Sequence, residues 1–558
     1  VIRGNSNGNL HNSILNPRMT LDIDLGAAPA AKPPAPVSTP TADESSFPRA
    51  AQVDVLLLLE GTFPYVSGGV SSWVNQLIRG FPELSFGGIF LGSRRSDYKE
   101  VKYTLPDNLK HLESHYLHEA AVGMQPAAQD GDDAAFGEVD QLHDAFRAAR
   151  ERRAAADGDI TLHGLLDRVL PQLAAGGPLA KAQFLHSDAA WQRVVRDYRA
   201  RCTDPSFVDY FWTVRIMHAP LWQLFAIAQS APRARVLHTI STGYAGMLGV
   251  FLTALQKRPL LLTEHGIYTK ERKIDLFQST WVRDNRGVFE RRGGQVAYFK
   301  DLWIRFFEGL GRSCYASSRH IVSLYEANRQ RQIADGAPAA RTRSIPNGVD
   351  VAKFAPLRRA DDAPVPPVAC LIGRMVPIKD VKTFIRAMRT VVDRVPNAEG
   401  WIAGPEDEDP EYAQECRLIV ETLGLQDRVK FLGFQQLTAL LPKVGLVVLS
   451  SISEALPLVI LEGYAAGIPC VSTDVGSCRQ LVYGHGNEDR ALGASGAVVP
   501  MADAQALAEA CVPLLTDPKQ WHAASRAGIA RVERFYTQKL MVDSYRELYA
   551  EAMEGRDR

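Results

Sequence analysis

The stretch "SISEALPLVILEGYAAGIPC" (451–470) carries two carboxylates, Glu454 and Glu462, on either side of Pro457. The run before it, "GLVVLSS" (445–451), reads as a buried strand, which places Glu454 in the loop at the strand's carboxyl end. Pro457 suits the first turn of a helix, where its missing N–H costs nothing. Leu458 and Val459 then offer free backbone amides at that helix N-terminus, a setting that attracts phosphate through donors and dipole together. Glu462 follows within reach of a hydroxylated group attached to the same phosphate. Carboxylates on both flanks of an anion site fit a sugar nucleotide, with hydroxyls on either side of a diphosphate. The alternative is a solvated Glu454 and a glutamate favoured by the helix dipole.

Other stretches bear on that choice. In "LIGRMVPIKDVKTF" (371–384) a strand ends at Gly373, and Arg374 and Lys379 precede a helix starting near Asp380. Two cations in one strand–helix loop can grip a diphosphate, Arg as a planar fork and Lys as a point charge. Surface charges are the alternative. In "EGTFPYVSGGVSSWV" (60–74), Gly68 and Gly69 precede a helix that Ser71 or Ser72 can cap, and glycines there let backbone approach a ligand. No G-x-G-x-x-G pattern supports dinucleotide binding. His265 in "TEHGIYTKER" (263–272) and His238 in "LHTISTGY" (237–244) follow or close strands. Each is either a ligand contact or a satisfied structural histidine. "EDED" (406–409) follows Pro405 and reads as a solvated acidic turn, so no metal is expected.

Positioning these residues requires strands. Apolar runs of the kind buried on both faces of a parallel sheet recur at 53–61, 87–93, 234–241 and 259–266. A second set lies at 368–374, 400–405, 428–434, 445–451, 468–474 and 496–500. Helical patterns such as "VKTFIRAMRTVVDRV" separate most of them, which predicts doubly wound α/β units. Ligands in such sheets sit at the carboxyl ends of the strands. Residues 1–50 show no periodicity and read as a disordered tail, with the part before Met19 a vector-derived remnant. A first α/β domain is predicted over 51–346, interrupted by a helical, Ala- and Arg-rich insertion at about 115–230. A second spans 347–536, entered through a proline-rich linker (346–367). Residues 537–558 are expected to form a helix crossing back to the first domain.

Composition limits the remaining choices. Hydrophobic residues make up 46% of the 558, as in a globular protein with sizeable cores. Lys+Arg and Asp+Glu are both 63, which argues against a general affinity for nucleic acid. The seven scattered cysteines form neither a C-x-x-C pair nor a zinc-spaced cluster, so a reducing, cytoplasmic setting is expected. No uncharged apolar run is long enough to span a bilayer. Aromatic residues at helical spacing in "AYFKDLWIRFFEGLGRSCY" (297–315) predict a core helix, with peripheral membrane docking as the alternative.

Taken together, G-R-x₄-K, E-x₇-E, the glycine-rich first loop and the strand-end histidine resemble the retaining glycosyltransferases of family 4. "PNGVD" (346–350), "IAGPE" (402–406) and "TDVGSCRQLV" (473–482) fall in that family's order, and 345–536 resembles it most. The opening "LLLLEGTFPYVSGGVSSWVNQLI" and the insertion are similar to Pel exopolysaccharide glycosyltransferases. The resemblance implies a GT-B fold: two Rossmann-like domains facing a central cleft, the first on the acceptor side and the second binding a UDP-sugar. It implies Arg374 and Lys379 on the donor diphosphate with the Leu458 and Val459 amides, and Gly404 among the donor-binding residues. Glu462 is implied on the ribose, Glu454 and His265 on the donor sugar, and Gly68 and Gly69 near the diphosphate or acceptor. Where the family often has a glycine-rich segment after its first glutamate, this chain reads Glu454-Ala-Leu-Pro. The implied reaction moves a hexose from UDP-hexose to a growing oligo- or polysaccharide with retention, needing neither cofactor nor metal. Docking to membrane-embedded polysaccharide synthesis and export proteins, at the inner membrane, is implied with it. A nucleotide-sugar-sensing subunit and a disaccharide synthase are the rival readings.

Overall fold

The computed structural model describes residues 44–118, 129–151, 158–279, 281–286, 296–360 and 363–554. The tail read over 1–50 therefore lies outside the described residues up to 43. Its last part is a correction: Phe47 is buried, and the Glu44 carboxylate accepts from the Tyr116 hydroxyl at 2.6 Å. An apolar ring and a paired carboxylate hold this stretch against the first unit.

Among the described residues the chain forms two compact units, divided between Ser344 and Ile345, with residues from Glu547 onward returning to the first. The first holds seven strands: β1 (Gln52–Glu60), β2 (Phe86–Gly92), β3 (Leu109–Tyr116), β4 (Arg233–Thr239), β5 (Leu260–Glu264), β6 (Ser318–Ser323) and β7 (Thr342–Ser344). All pair in parallel, in the order β3-β2-β1-β4-β5-β6-β7. The second holds β8 (Val368–Ile372), β9 (Glu399–Ala403), β10 (Val429–Gly433), β11 (Leu446–Leu449), β12 (Cys470–Thr473) and β13 (Gly496–Val499). These run parallel in the order β10-β9-β8-β11-β12-β13. The apolar runs are the central strands because both faces of each are covered, as in "VDVLLLL", where Leu56, Leu57 and Leu58 are fully buried. The helix Val381–Arg394 shows how: Val381, Phe384, Ile385, Met388 and Val391 form one buried stripe at helical spacing.

Strand order reverses in each sheet where one crossover goes left and the next right, between β1 and β4 and between β8 and β11. At such a point the two following loops diverge and leave a crevice at the strands' carboxyl ends.

Between β3 and β4 the chain runs through the helices Asp133–Glu151, Gly158–Val169, Asp188–Arg201 and Phe207–Ser230. Their apolar faces join the core of the first unit, Phe136, Leu166 and Leu224 clustering with Leu56 and Leu237 of the sheet. The aromatic helix Tyr298–Ser317 is a core helix: Phe299, Trp303 and Phe307 are buried, and Trp303 stacks on Phe307 at 5.8 Å. Leu302 and Phe306 pack against the same core, so this helix presents no apolar face for membrane docking. Among the described residues no helix is long and apolar enough to cross a membrane. The helix Gln538–Glu554 ends in the first unit, where the buried Tyr549 bonds His238 at 2.7 Å and meets Phe81 edge-on at 5.4 Å. The proline-rich segment after Ile345 is partly regular, with Asn347 buried, Val349 paired to Thr537 and Asp350 capping the helix Val351–Phe354.

Candidate active site

The reversal between β8 and β11 brings together the loops that carry most of the predicted residues. The two loops are tied by backbone, Ile452 N–H donating to Ile378 O at 2.9 Å. The Ser450 hydroxyl adds bonds to the carbonyls of Lys379 and Asp380, each 2.9 Å. Asp380 adopts a left-handed conformation (φ 43°) and caps the helix Val381–Arg394 by accepting from Thr383 N–H. This turn swings Lys379 over the neighbouring loop. Its ammonium lies 2.6 Å from Glu454 Oε1, which also accepts from the Ser451 hydroxyl at 2.7 Å.

Arg374 reaches the other way. Its guanidinium donates to both carboxylate oxygens of Glu408 at 2.6 Å, and the β8 and β9 loops are joined by Met375 N–H to Pro405 O at 3.0 Å. "EDED" is thus a correction to the reading of a solvated turn. Glu406 pairs with Arg417, Glu408 with Arg374, and Asp409 caps the helix Pro410–Thr422. Ion pairing with cations from neighbouring elements is the reason. Among the described residues no group of three or more potential ligands is arranged to hold a metal ion.

Close backbone approach at this edge depends on two glycines. A Cβ on Gly404 would lie 1.9 Å from Gly373 O, so the ends of β8 and β9 can meet only there without a side chain. Gly476 (φ 54°) sits against the Glu454 and Ala455 carbonyls, and the next residue, Ser477, donates its N–H to Ala455 O at 2.9 Å. The glycine that shapes the loop after Glu454 therefore comes from the segment after β12. The helix Leu458–Ala465 starts directly after Pro457. Leu458 and Val459, both half-buried, precede the first intrahelical donor, Ile460 N–H to Pro457 O at 3.2 Å. Glu462 lies in the second turn, where burial pushes its carboxyl up to about 7, partly opposed by the charge of Lys353.

Gly68, Gly69 and His265 belong to the first unit, at the strand ends of its own sheet. Gly68 and Gly69 are exposed, with open space around each Cβ position. The helix begins at Gly69 with Gly68 as its N-cap and no side-chain cap, so neither Ser71 nor Ser72 fills that role. Both lie one turn too far inside. Trp73 of this helix packs edge-on against the His265 ring at 4.6 Å. Burial pulls His265 down to about 3, keeping it neutral, and its buried Nε2 has no hydrogen-bond partner. His238, by contrast, is a structural histidine, bonded to Tyr549 on one nitrogen and Thr263 on the other.

Two buried carboxylates escaped the sequence reading. Glu60, the last residue of β1, accepts from the Tyr268 hydroxyl (3.0 Å), the Ser241 hydroxyl (3.1 Å) and Ala245 N–H (3.0 Å). Glu264, the last residue of β5, accepts from Tyr315 (2.7 Å), Gln332 (2.9 Å) and Thr242 (3.1 Å), and burial raises its pKa against these bonds. Both brace the loops after their strands. The signal was present in "LLLLE" and "LLLTE", an acid closing an apolar run.

Comparison with known proteins agrees with this architecture. Residues 366–517 match the family model described as glycosyl transferases group 1. The chain is 31% identical over 186 residues to the exopolysaccharide phosphotransferase of Streptomyces coelicolor, covering 33% of this chain and 18% of that protein. It is 29% identical over 234 residues to the D-inositol 3-phosphate glycosyltransferase of Corynebacterium urealyticum, covering 39% and 53%. The chain thus spans about half or less of the length of these relatives. Among solved structures, Anabaena HepE in complex with UDP and glucose superposes with a TM-score of 0.53 at 14% identity, over 89% of this chain and 99% of that one. Sucrose-phosphate synthase from Thermosynechococcus elongatus gives 0.50 at 16% identity, over 90% and 100%. The fold is GT-B, two Rossmann-like parallel-sheet domains in one chain. Residues 53–340, more than half of the chain, match the model described as Domain of unknown function (DUF3492), and the protein belongs to that family.

Proposed function

We propose that the protein is a retaining glycosyltransferase that moves a hexose from a UDP-sugar to a growing exopolysaccharide of the Pel type. The observation that carries this reading is the meeting of Lys379 with Glu454 at the β8/β11 reversal, with Arg374 on the same loop as Lys379 and a helix N-terminus following Glu454. A diphosphate entering this edge takes over Arg374 from Glu408 and Lys379 from Glu454, exchanging carboxylate partners for phosphate. The Leu458 and Val459 amides add donors. Glu454, released from Lys379, is then placed to accept from hydroxyls of the hexose, and Glu462 from those of the ribose. Similarity to an exopolysaccharide enzyme and to a protein solved with UDP and glucose supports the substrate class. N-acetylgalactosamine is the first choice of hexose, with glucose next.

In the reaction the bond from the anomeric carbon to the diphosphate oxygen breaks as the acceptor oxygen bonds to the same face. The acceptor's proton passes to the departing phosphate oxygen. Arg374 and Lys379 stabilise the charge that develops on that leaving group, a role preorganised donors perform at low reorganisation cost, and we propose that no metal is needed for it. His265, neutral and with a bare nitrogen, contributes a hydrogen bond to the donor sugar rather than a charge. The proposed partners are the acceptor polysaccharide and membrane-embedded synthesis and export proteins, with the enzyme working on the cytoplasmic side. Calorimetric titration with UDP, GDP and ADP sugars tests the donor, and transfer to oligosaccharide with analysis of the new anomeric centre tests the reaction. Preference for a GDP or ADP sugar, or inversion, overturns the respective part.

A further inference from the structure

The helical insertion lines a partly open cavity of about 310 Å³ that the proposed sugar chemistry does not use. It lies within the first unit, among the helices Asp133–Glu151, Gly158–Val169, Phe207–Ser230, Tyr244–Gln256 and Tyr298–Ser317. Protein interiors are packed with few voids larger than a water molecule. This space is about twice the ~150 Å³ at which an apolar cavity takes up benzene, and within the range of small-molecule sites. Leu142, Leu166, Leu221, Met247, Leu302 and Phe306 supply the apolar wall.

The wall has two polar features of different kinds. The lining arginines Arg150 and Arg305 both pair with Asp301, at 2.8 and 3.0 Å, and Arg193 pairs with Asp133 at 2.8 Å. Arg147 and Arg201 pair with Asp144 and Asp197, so of the lining arginines only Arg312 lacks an ion pair among the described residues. His143 and His218 also line the cavity, with ring centres 6.2 Å apart. His218 Nδ1 lies 2.7 Å from Val214 O, and since a carbonyl only accepts, Nδ1 carries the proton. Burial keeps both rings neutral, His143 falling to about 4. The Nε2 of His218 is therefore an acceptor with no hydrogen-bond partner among the described residues, on a ring beside the apolar part of the wall.

We propose that this cavity binds a single-chain lipid with an uncharged hydroxyl head, its chain against the leucines and Met247 and its hydroxyl donating to His218 Nε2. Flexible aliphatic walls adapt to a chain, and an unanswered acceptor beside them selects a donor. None of the residues proposed to hold the donor sugar lines this cavity.

The test uses the full chain and the neutral fluorophore N-phenyl-1-naphthylamine, displaced by 1-dodecanol, dodecanoate or 2-naphthol. One saturable site is expected, emptied by dodecanol. Leu221→Trp and, from a different helix, Leu302→Trp should each weaken dodecanol about tenfold or more by filling the space, with far-UV circular dichroism unchanged. His218→Phe should keep the fluorophore but weaken dodecanol about 2- to 12-fold, the value of one neutral hydrogen bond. No saturable site, or parental binding in both folded tryptophan variants, overturns the proposal. So does displacement by 2-naphthol but not dodecanol, or dodecanoate binding tighter than dodecanol.

Discussion

Arg374 and Lys379 are each held by one carboxylate from another loop, so removing either side chain changes the donor edge without disturbing a buried core. Arg374→Ala or Lys379→Ala is expected to lower turnover by about 10²–10³, the effect of losing one preorganised charge-stabilising donor. Steady-state transfer rates check this, and near-parental turnover would remove the residue from the proposed mechanism. Glu462 makes a pH prediction. Burial raises its carboxyl from 4.5 to about 7, so the folded chain holds this proton more tightly than the unfolded one. The stability this adds is complete below the unfolded value and is lost as pH rises through the folded one. Glu462→Gln stays neutral throughout, so its Tm should gain on the parent from about pH 4.5 to about pH 7.5 and hold a constant lead beyond. Thermal melts of both proteins across that range decide it, and a gap that never widens would mean the carboxyl titrates as if exposed. The places of Arg374, Lys379 and Glu454 were legible because loops after apolar strands announce themselves, and that of Glu462 because Pro457 marks the start of its helix. Glu408 was not, since nothing local distinguishes a carboxylate paired 34 residues away from a solvated one.

Elements place these residues, and the glycine at 476 is where one element shapes another. Gly476→Ala would put a methyl 2.2 Å from Glu454 O at a φ of 54°. The loop carrying Glu454 must then shift, so weaker UDP-sugar binding is expected with a stability loss of about 1–3 kcal/mol. Titration and urea unfolding measure the two effects, and parental values for both would show that the segment after β12 does not set this loop. The same coupling explains what the sequence left hidden. The strands of the second unit all read as apolar runs, but β3 "LKHLESHY", β6 "SRHIVS" and β7 "TRS" did not. β3 and β7 are sheet edges, covered on fewer sides and free to carry charge. β6 follows directly on the aromatic helix Tyr298–Ser317, whose periodicity masks the change of element. Helix caps were missed for a related reason. Serine supplies a cap only if the helix starts at its position, and here the backbone turned one residue into the glycine pair.

At the scale of the molecule, the two parallel sheets followed from alternating strand and helix patterns, while the depth of the insertion in the first core did not. Helical periodicity shows that a face is apolar, not which partner covers it. The proposed chemistry rests on side-chain cations, so transfer should continue in excess chelator, and loss of activity restored by magnesium or manganese would overturn that part. Tyr549 offers a structural check. Its ring is buried against Phe81 and its hydroxyl bonds His238, so Tyr549→Ala should cost about 3–5 kcal/mol by urea unfolding. That contact also bears on how the protein is made. Residues 53–340 leave the ribosome long before Tyr549 does, and domains begin to fold as they emerge. The first unit must wait with His238 and Phe81 lacking this cover through the synthesis of about two hundred further residues. This core side chain arrives long after the sheet it covers, which makes the nascent first unit a client for whatever shields apolar surface at the ribosome in the interval.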